Sequence, residues 1–134
     1  MARLTVEIVT PEKRMLQASA DEAIVPGAKG LFGVRPGHTP FLSVVEPGAL
    51  TVREGGRDTV WFVAGGFVTV AADHVRVLAD YAEPAEGIDA ADARRRMEEA
   101  QGRMRGMTPD DAKFQLEAST VKRETARMAL ASRR

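Results

Sequence analysis

From Leu4 to Asp80 apolar and polar residues alternate with a period near two, and turn residues interrupt the pattern about every eight to twelve positions. That rhythm predicts a compact sheet sandwich or barrel. Leu4, Val6 and Ile8 share one face of a first strand, which Pro11 and Glu12 end. "DEAIVPG" predicts a strand stopped at Pro26-Gly27, "GLFGV" a short one, and "TPFLSVVEPG" another that ends in a type II turn, Pro47 presetting φ and Gly48 taking the positive φ. "ALTVREGGRDTVWFVAGGFVTVAADHVRVLAD" adds four more strands, parted at Gly55-Gly56, Gly65-Gly66 and Ala72-Asp73. Trp61 reads as core.

After Tyr81 the period changes. "AEPAEG" reads as a linker, and from Ile88 glycines thin out while Ala, Met, Arg and Glu take over. Asp89 with Asp92 marks a helix start, and Ala93, Met97, Ala100 and Met104 form a narrow apolar stripe at spacings of four, three and four. Gly106 stops this helix. Thr108 as cap, Pro109 in the first turn and Asp111 in the capping position predict a second, with Phe114, Ala118, Val121, Thr125 and Met128 on one side. So short a connection makes the two helices antiparallel.

Composition narrows the function classes. Nineteen basic and nineteen acidic residues cancel, so no global field argues for nucleic acid or an anionic membrane surface. A nucleic-acid binder would also need aromatic platforms on a basic face, and Trp61 and Tyr81 are the only large amphipathic aromatics. With no cysteine, disulfides, thiolate nucleophiles and cysteine-type zinc sites are excluded. "MARLTVEIVTPEKR" is not a signal peptide, and no segment has the apolar length of a spanning helix. Residues 1–86 carry eight basic and eleven acidic side chains and residues 87–134 eleven and eight, so a negative sandwich precedes a positive helical part. From Val121 onward Lys122, Arg123, Arg127, Arg133 and Arg134 face Glu124 alone.

The densest stretch, "GAKGLFGVRPGHTPFLSVVEPGAL", invites a chemical reading. Gly27, Gly30 and Gly33 match neither the dinucleotide fingerprint nor a phosphate loop, and they lie between strands, where no helix N-terminus can receive a phosphate. They read as turn glycines. His38 is the one polar group there able to act at neutral pH, yet a general base needs an orienting partner, and none is visible. An enzyme or sugar-binding sandwich using His38 stands as the rival reading. Ser19, Ser43, Ser119 and Ser132 lie in no nucleophile elbow, and no spacing joins His38 to His74 as metal ligands. The residues therefore point to a binding or regulatory module with no catalytic residues and no metal.

"VPGAKGLFGVRPGHTPFLSVVEPGAL", "VAGGFVTVAADHVRVLADYAE" and "IDAADARRR" together resemble the epsilon subunit of bacterial F-type ATP synthase, the counterpart of the mitochondrial delta subunit. The resemblance runs in register from about Leu4 to Arg96. It implies an α+β chain: a ten-stranded β-sandwich over residues 1–86 that docks on the rotor, then an antiparallel two-helix hairpin over 87–134 that regulates. It further implies a non-catalytic central-stalk subunit that links the gamma subunit to the c-ring, couples proton flow to ATP synthesis, and sits peripherally on the cytoplasmic face of the bacterial plasma membrane.

By position, the resemblance makes Lys29, Gly30, Leu31 and Phe32 the c-ring contact, with Leu31 standing where some relatives carry an acidic residue. Leu31 and Phe32 exposed together as an apolar patch, or both tucked into the sandwich, are open readings, the second standing equal to the first for Phe32. Thr10, His38, Thr39, Pro40 and Ser43 fall on the gamma side. In many relatives the hairpin also extends beside gamma, and basic residues of its last helix, here Lys122, Arg123 and Arg127, meet acidic segments of the catalytic beta and alpha subunits and block ATP hydrolysis. Some relatives bind regulatory ATP through a motif of which Ile88, Asp89 and Ala93 remain. Asp92 replaces its arginine; either Arg95 and Arg96 substitute, or Asp92 caps the helix and pairs with Arg96 on a solvated face.

Overall fold

The computed structural model describes residues 3–133. Ten strands precede two helices: β1 (Leu4–Val9), β2 (Arg14–Ala20), β3 (Glu22–Gly27), β4 (Gly30–Val34), β5 (Phe41–Val44), β6 (Gly48–Glu54), β7 (Arg57–Ala64), β8 (Phe67–Ala71), β9 (His74–Leu78), β10 (Tyr81–Pro84), α1 (Ala90–Met104) and α2 (Ala112–Ala131), with a single 3-10 turn at Ala85–Gly87. The strands form two five-stranded sheets, one in the order β2-β1-β9-β8-β5 and the other β10-β7-β6-β3-β4. All neighbours are antiparallel except β1 and β9. The chain resolves into two compact units, Met1–Ala85 and Glu86–Arg134.

Period-two patterning puts one face of each strand between the sheets. Leu4, Val6 and Ile8 of β1, Val68 and Val70 of β8, and Val75 and Val77 of β9 meet Val25, Leu50, Val52, Trp61 and Val63 of the other sheet in one core. Trp61 is buried there, as its surroundings in the sequence predict.

Two strands and two turns depart from the sequence reading. β2, "RMLQASA", carries only one fully buried residue, Ala20, and little β-branched character; pairing with β1 along six residue pairs holds it extended. β10 replaces the start of the expected linker, an edge strand that ends at Pro84, where a missing N–H costs the ladder nothing. Gly48 is not a positive-φ turn residue: it opens β6 opposite Val63. The positive φ belongs to Gly37 (88°), after Pro36, in a turn closed by His38 N–H donating to Arg35 C=O at 3.1 Å. Thr108 likewise does not cap α2. Its carbonyl accepts from Asp111 N–H, and Asp111 is the N-cap, its carboxylate accepting from Lys113 N–H at 2.9 Å.

On the outer face of the first sheet, Glu7 is only 2% exposed. Arg76 Nε lies 2.8 Å from one carboxylate oxygen and Arg14 Nε 2.9 Å from the other, with His74 Nε2 at 3.6 Å. The hydrogen bond from Arg76 holds this carboxyl below its ordinary range, outweighing the opposing effect of burial. A depressed folded pKa means the stabilisation is fully present above the ordinary glutamate value of about 4.3 and is lost as pH falls through the lower folded value. Urea midpoints measured between pH 7 and pH 3 should therefore fall more steeply for the native chain than for Glu7→Gln. Parallel profiles would exclude this role for Glu7.

Candidate docking site and helical hairpin

Residues of the glycine-rich stretch meet where the two sheets have adjacent edges. β3 and β4 are joined by the two-residue turn Ala28-Lys29, with Gly30 at φ 109° completing it. This directs Leu31 outward, 69% exposed, and Phe32 inward, half-buried against the core. The open alternative for Phe32 thus resolves into the sandwich, whereas Leu31 stays at the surface. The Phe32 ring meets Phe41 of β5 edge-to-face, with centroids 5.0 Å apart at 72°, and Phe41 in turn faces His38 at 6.2 Å. Ser43 Oγ accepts from Ala28 N–H at 3.2 Å and donates to Val44 C=O at 2.9 Å, tying β5 to the β3–β4 turn. Between these edges opens a cavity of about 420 Å³, lined by Gly27, Lys29, Leu31, Phe32, Phe41 and Ser43 among others. Gly27 has no room for a side chain, since a Cβ there would lie 2.8 Å from the Phe32 ring.

His38 is fastened within its own loop. Its Nδ1 lies 2.6 Å from Thr39 C=O, which accepts when Nδ1 carries a proton, and no carboxylate among the described residues is recorded against the ring. Thr39 and Pro40 are exposed beside it. Among the described residues, no group of three or more His, Asp or Glu is placed to hold a metal ion.

A larger surface was not legible from the sequence. Pairing registers put Val44 beside Phe67, Phe67 beside Leu78, and Leu78 beside Val9, so the four form one row across β5, β8, β9 and β1. They share the outer face, opposite the core residues Val68, Val77 and Ile8. Val44 and Phe67 are 56% and 48% exposed, and Leu42 adds a further exposed side chain on that face. Spanning three strand spacings of about 4.8 Å, the row is roughly 14 Å long. Thr10 follows Val9 at its far end, with its hydroxyl donating to Lys13 C=O at 3.1 Å. Thr10 therefore lies at the β1 end of the row, whereas Ser43, paired with the core residue Val68, is on the opposite face of β5 and bonds the β3–β4 turn, and His38 lies towards the other end of the sheet, where Gly37 N–H donates to Asp73. The signal in the sequence was the run Phe41-Leu42-Ser43-Val44-Val45, which is apolar on both strand faces. For an edge strand, that pattern leaves apolar side chains outside.

In the hairpin, Asp89 caps α1 by accepting from Asp92 N–H at 3.0 Å, and Ile88 is buried. Arg95 and Arg96 both face Asp92, at 2.6 and 2.9 Å, and Arg95 also reaches Glu99 at 2.7 Å. These bonds, that from Arg95 foremost, hold the Asp92 carboxyl below its ordinary range despite partial burial. The pairing of Asp92 with Arg96 follows the solvated-face reading, but the cap is Asp89. α2 differs more. Its buried residues are Glu124, Arg127, Leu130 and Ala131, whereas the expected apolar line of Phe114, Ala118, Val121 and Met128 is half-buried and Thr125 is exposed. Arg127 lies 2.5 Å from Glu124, which also holds Arg123 at 2.8 Å; Lys122 is exposed. Arg134 lies outside the described residues.

A β-sandwich with an apolar edge and outer row, followed by a charge-laced αα-hairpin, defines a sandwich-and-hairpin module. None of its described helices is long and apolar enough to cross a membrane. A family model described as the ATP synthase delta/epsilon chain β-sandwich domain matches residues 3–85. The chain is 67% identical over 132 residues to the ATP synthase epsilon chain of Myxococcus xanthus, covering 98% of this chain and 97% of that one. It is 48% identical over 130 residues to the epsilon chain of an Anaeromyxobacter species, at 97% and 98% coverage. In fold it is similar to a chain in the cryo-EM structure of Euglena gracilis mitochondrial ATP synthase, with a TM-score of 0.81 at 23% identity over 96% of this chain and 81% of that one. The chain belongs to the ATP synthase delta/epsilon family, as an epsilon subunit.

Proposed function

We propose that this epsilon subunit performs no bond chemistry and links the gamma subunit of the rotor to the c-ring, so that proton-driven rotation is coupled to ATP synthesis. The observation that carries this reading is the exposed apolar surface built from Leu42, Val44 and Phe67 and continued by Leu78 and Val9. Side chains of this size on the solvent face of an otherwise closed sandwich are stabilised by a partner that covers them. The gamma subunit covers this row with Thr10 at one end, Ser43 holding β5 in place from its inward face, and His38, Thr39 and Pro40 on the loop that leads into β5. Lys29, Gly30, Leu31 and Phe32 present the β3–β4 turn to the c-ring, Leu31 supplying an apolar contact and Phe32 supporting it from within.

The hairpin is the regulatory part, and Lys122, Arg123 and Arg127 supply the charge with which an extended second helix opposes acidic segments of the catalytic beta and alpha subunits. ATP is not needed to hold the hairpin together, because Arg95 and Arg96 already have carboxylate partners in Asp92 and Glu99. Association with the membrane is peripheral, through the assembled complex on the cytoplasmic side of the plasma membrane.

The test compares the full chain with one truncated after Glu86. Calorimetric titration into gamma should give similar affinities for both, and the assembled enzyme carrying the shorter chain should hydrolyse ATP faster. Failure of both chains to bind gamma would refute the docking role, and unchanged hydrolysis would refute the inhibitory one.

A further inference from the structure

In the five strands of the β2-β1-β9-β8-β5 sheet the Asp, Glu, Lys and Arg side chains are Glu7, Arg14 and Arg76, and all three stand on the outer face. Residues 1–86 as a whole carry more acidic than basic side chains, so a surplus cation here runs against the local balance. Glu7 is moreover withdrawn from any partner. It is buried, with Arg76 Nε on one oxygen and Arg14 Nε on the other, so the face presents positive charge.

The two arginines differ in what remains to them. On the edge strand, Arg14 Nη1 donates to Gln17 at 3.0 Å. Arg76 lies inside the sheet with about half of its side chain exposed, and its Nη1 and Nη2 donate to no group among the described residues. Registers place it between Glu7 on β1 and Thr69 on β8, with Leu42 next on β5. Thr69 is exposed, and its hydroxyl also has no partner among the described residues. This polar row runs two residues along each strand from Val9, Leu78, Phe67 and Val44, about 6.7 Å away.

We propose that Arg76 and Thr69 form the polar anchor of this face and take a carboxylate side chain of the gamma subunit, standing beside the apolar residues that cover Phe67 and Leu78. The anchor rests on the docking role proposed above and adds the chemistry that gamma must bring. A guanidinium fixed through Nε keeps its planar fork turned away from that bond, so both terminal nitrogens are offered to an acceptor outside. Thr69 supplies an O–H donor from the neighbouring strand. Glu7 is a positioning residue, which holds the guanidinium in place before gamma arrives and so lowers the ordering cost of binding. A nucleic acid or an anionic membrane would call for a row of cations, and this face offers one fork beside an apolar strip. The anchor also selects, because a partner with no acceptor opposite Arg76 would cover a guanidinium and leave it unpaired.

Calorimetric titration of the full chain into gamma at low and high salt tests this. Arg76→Gln should weaken binding by about ten-fold at low salt and flatten its salt dependence. Arg76→Lys should restore only part of the loss, since lysine keeps the charge without the fork. Arg57→Gln removes an exposed cation from the other sheet and should leave the affinity unchanged. Glu7→Gln separates orientation from charge: were charge alone at work, loss of a neighbouring carboxylate would tighten binding, whereas a positioning role weakens it by about three-fold under conditions where circular dichroism shows the chain folded. Equal affinity and salt dependence for the native chain and Arg76→Gln would overturn the anchor and leave the docking role standing; no binding by the native chain would overturn both. Tighter binding by Glu7→Gln would overturn the positioning role, and tighter binding by Arg76→Gln the anchor itself.

Discussion

Replacing Val44 and Phe67 together by aspartate weakens binding of the full chain to the gamma subunit by at least about 100-fold in a calorimetric titration, equivalent to ~2.7 kcal/mol. Both side chains stand on the outer face of the sheet, roughly half exposed, so the substitutions leave the core untouched. They sit side by side across β5 and β8, and under the proposed docking two carboxylates within the apolar footprint must be desolvated without a partner. Melting temperature serves as the control and should move by only a few degrees. Leu31→Asp provides the contrast, because Leu31 belongs to the β3–β4 turn; gamma affinity should survive that change. Native-like binding by the Val44 and Phe67 double variant would place the gamma footprint elsewhere.

Gly66→Ala is expected to cost more than about 4 kcal/mol, a large share of the ~5–15 kcal/mol that holds a typical domain folded. Gly66 adopts φ +85°, which disfavours any side chain by ~1–2 kcal/mol. A methyl group there would also lie 1.8 Å from the Leu78 carbonyl oxygen, a backbone atom that cannot swing aside. Relief requires parting β8 from β9 beside the Phe67–Leu78 pair. It would also displace the Gly66 carbonyl that accepts from Val45 N–H at 3.0 Å, where the chain passes from one sheet to the other. Thermal unfolding should show a fall of roughly 15–30 °C, taking 4–8 °C per kcal/mol for a domain of this size. Gly55→Asn is the matched control: φ is +59°, nothing lies within 4 Å of the added Cβ, and Asn tolerates that region. Equal melting temperatures for the two variants would show that strain at Gly66 is relieved locally.

Eight of the ten strands and both helices are legible because each is written locally, in alternation, turn residues or caps. β2 and β10 are not, since their extended conformation comes from the neighbours they pair with, β1 and β7. Gly48 illustrates a subtler error: a Pro-Gly pair fits a type II turn, but Glu46 N–H donates to Pro26 C=O and Val45 bridges Gly27, which draws the chain straight into β6. The candidate site divides in the same way. Leu31 and Phe32 were recognisable as neighbours in a turn, yet only packing against Phe41 decides that one ring goes inward.

By itself, then, the sequence determined the division into a strand-rich part and a helical part, the exposed turn at Lys29, the start of α1 beside Asp89, and the absence of thiol chemistry. These depend on residues within a few positions of one another, where local sterics and hydrogen bonds act without help. Tertiary structure alone decided the apolar row from Val44 to Val9, because four strands must first adopt their registers. It alone also joined Asp92 to Arg127 across 35 residues and hid the most buried cation of a helix that had read as a basic tail. Such pairings are set by which surfaces meet when the chain closes, and no periodicity along the chain encodes them.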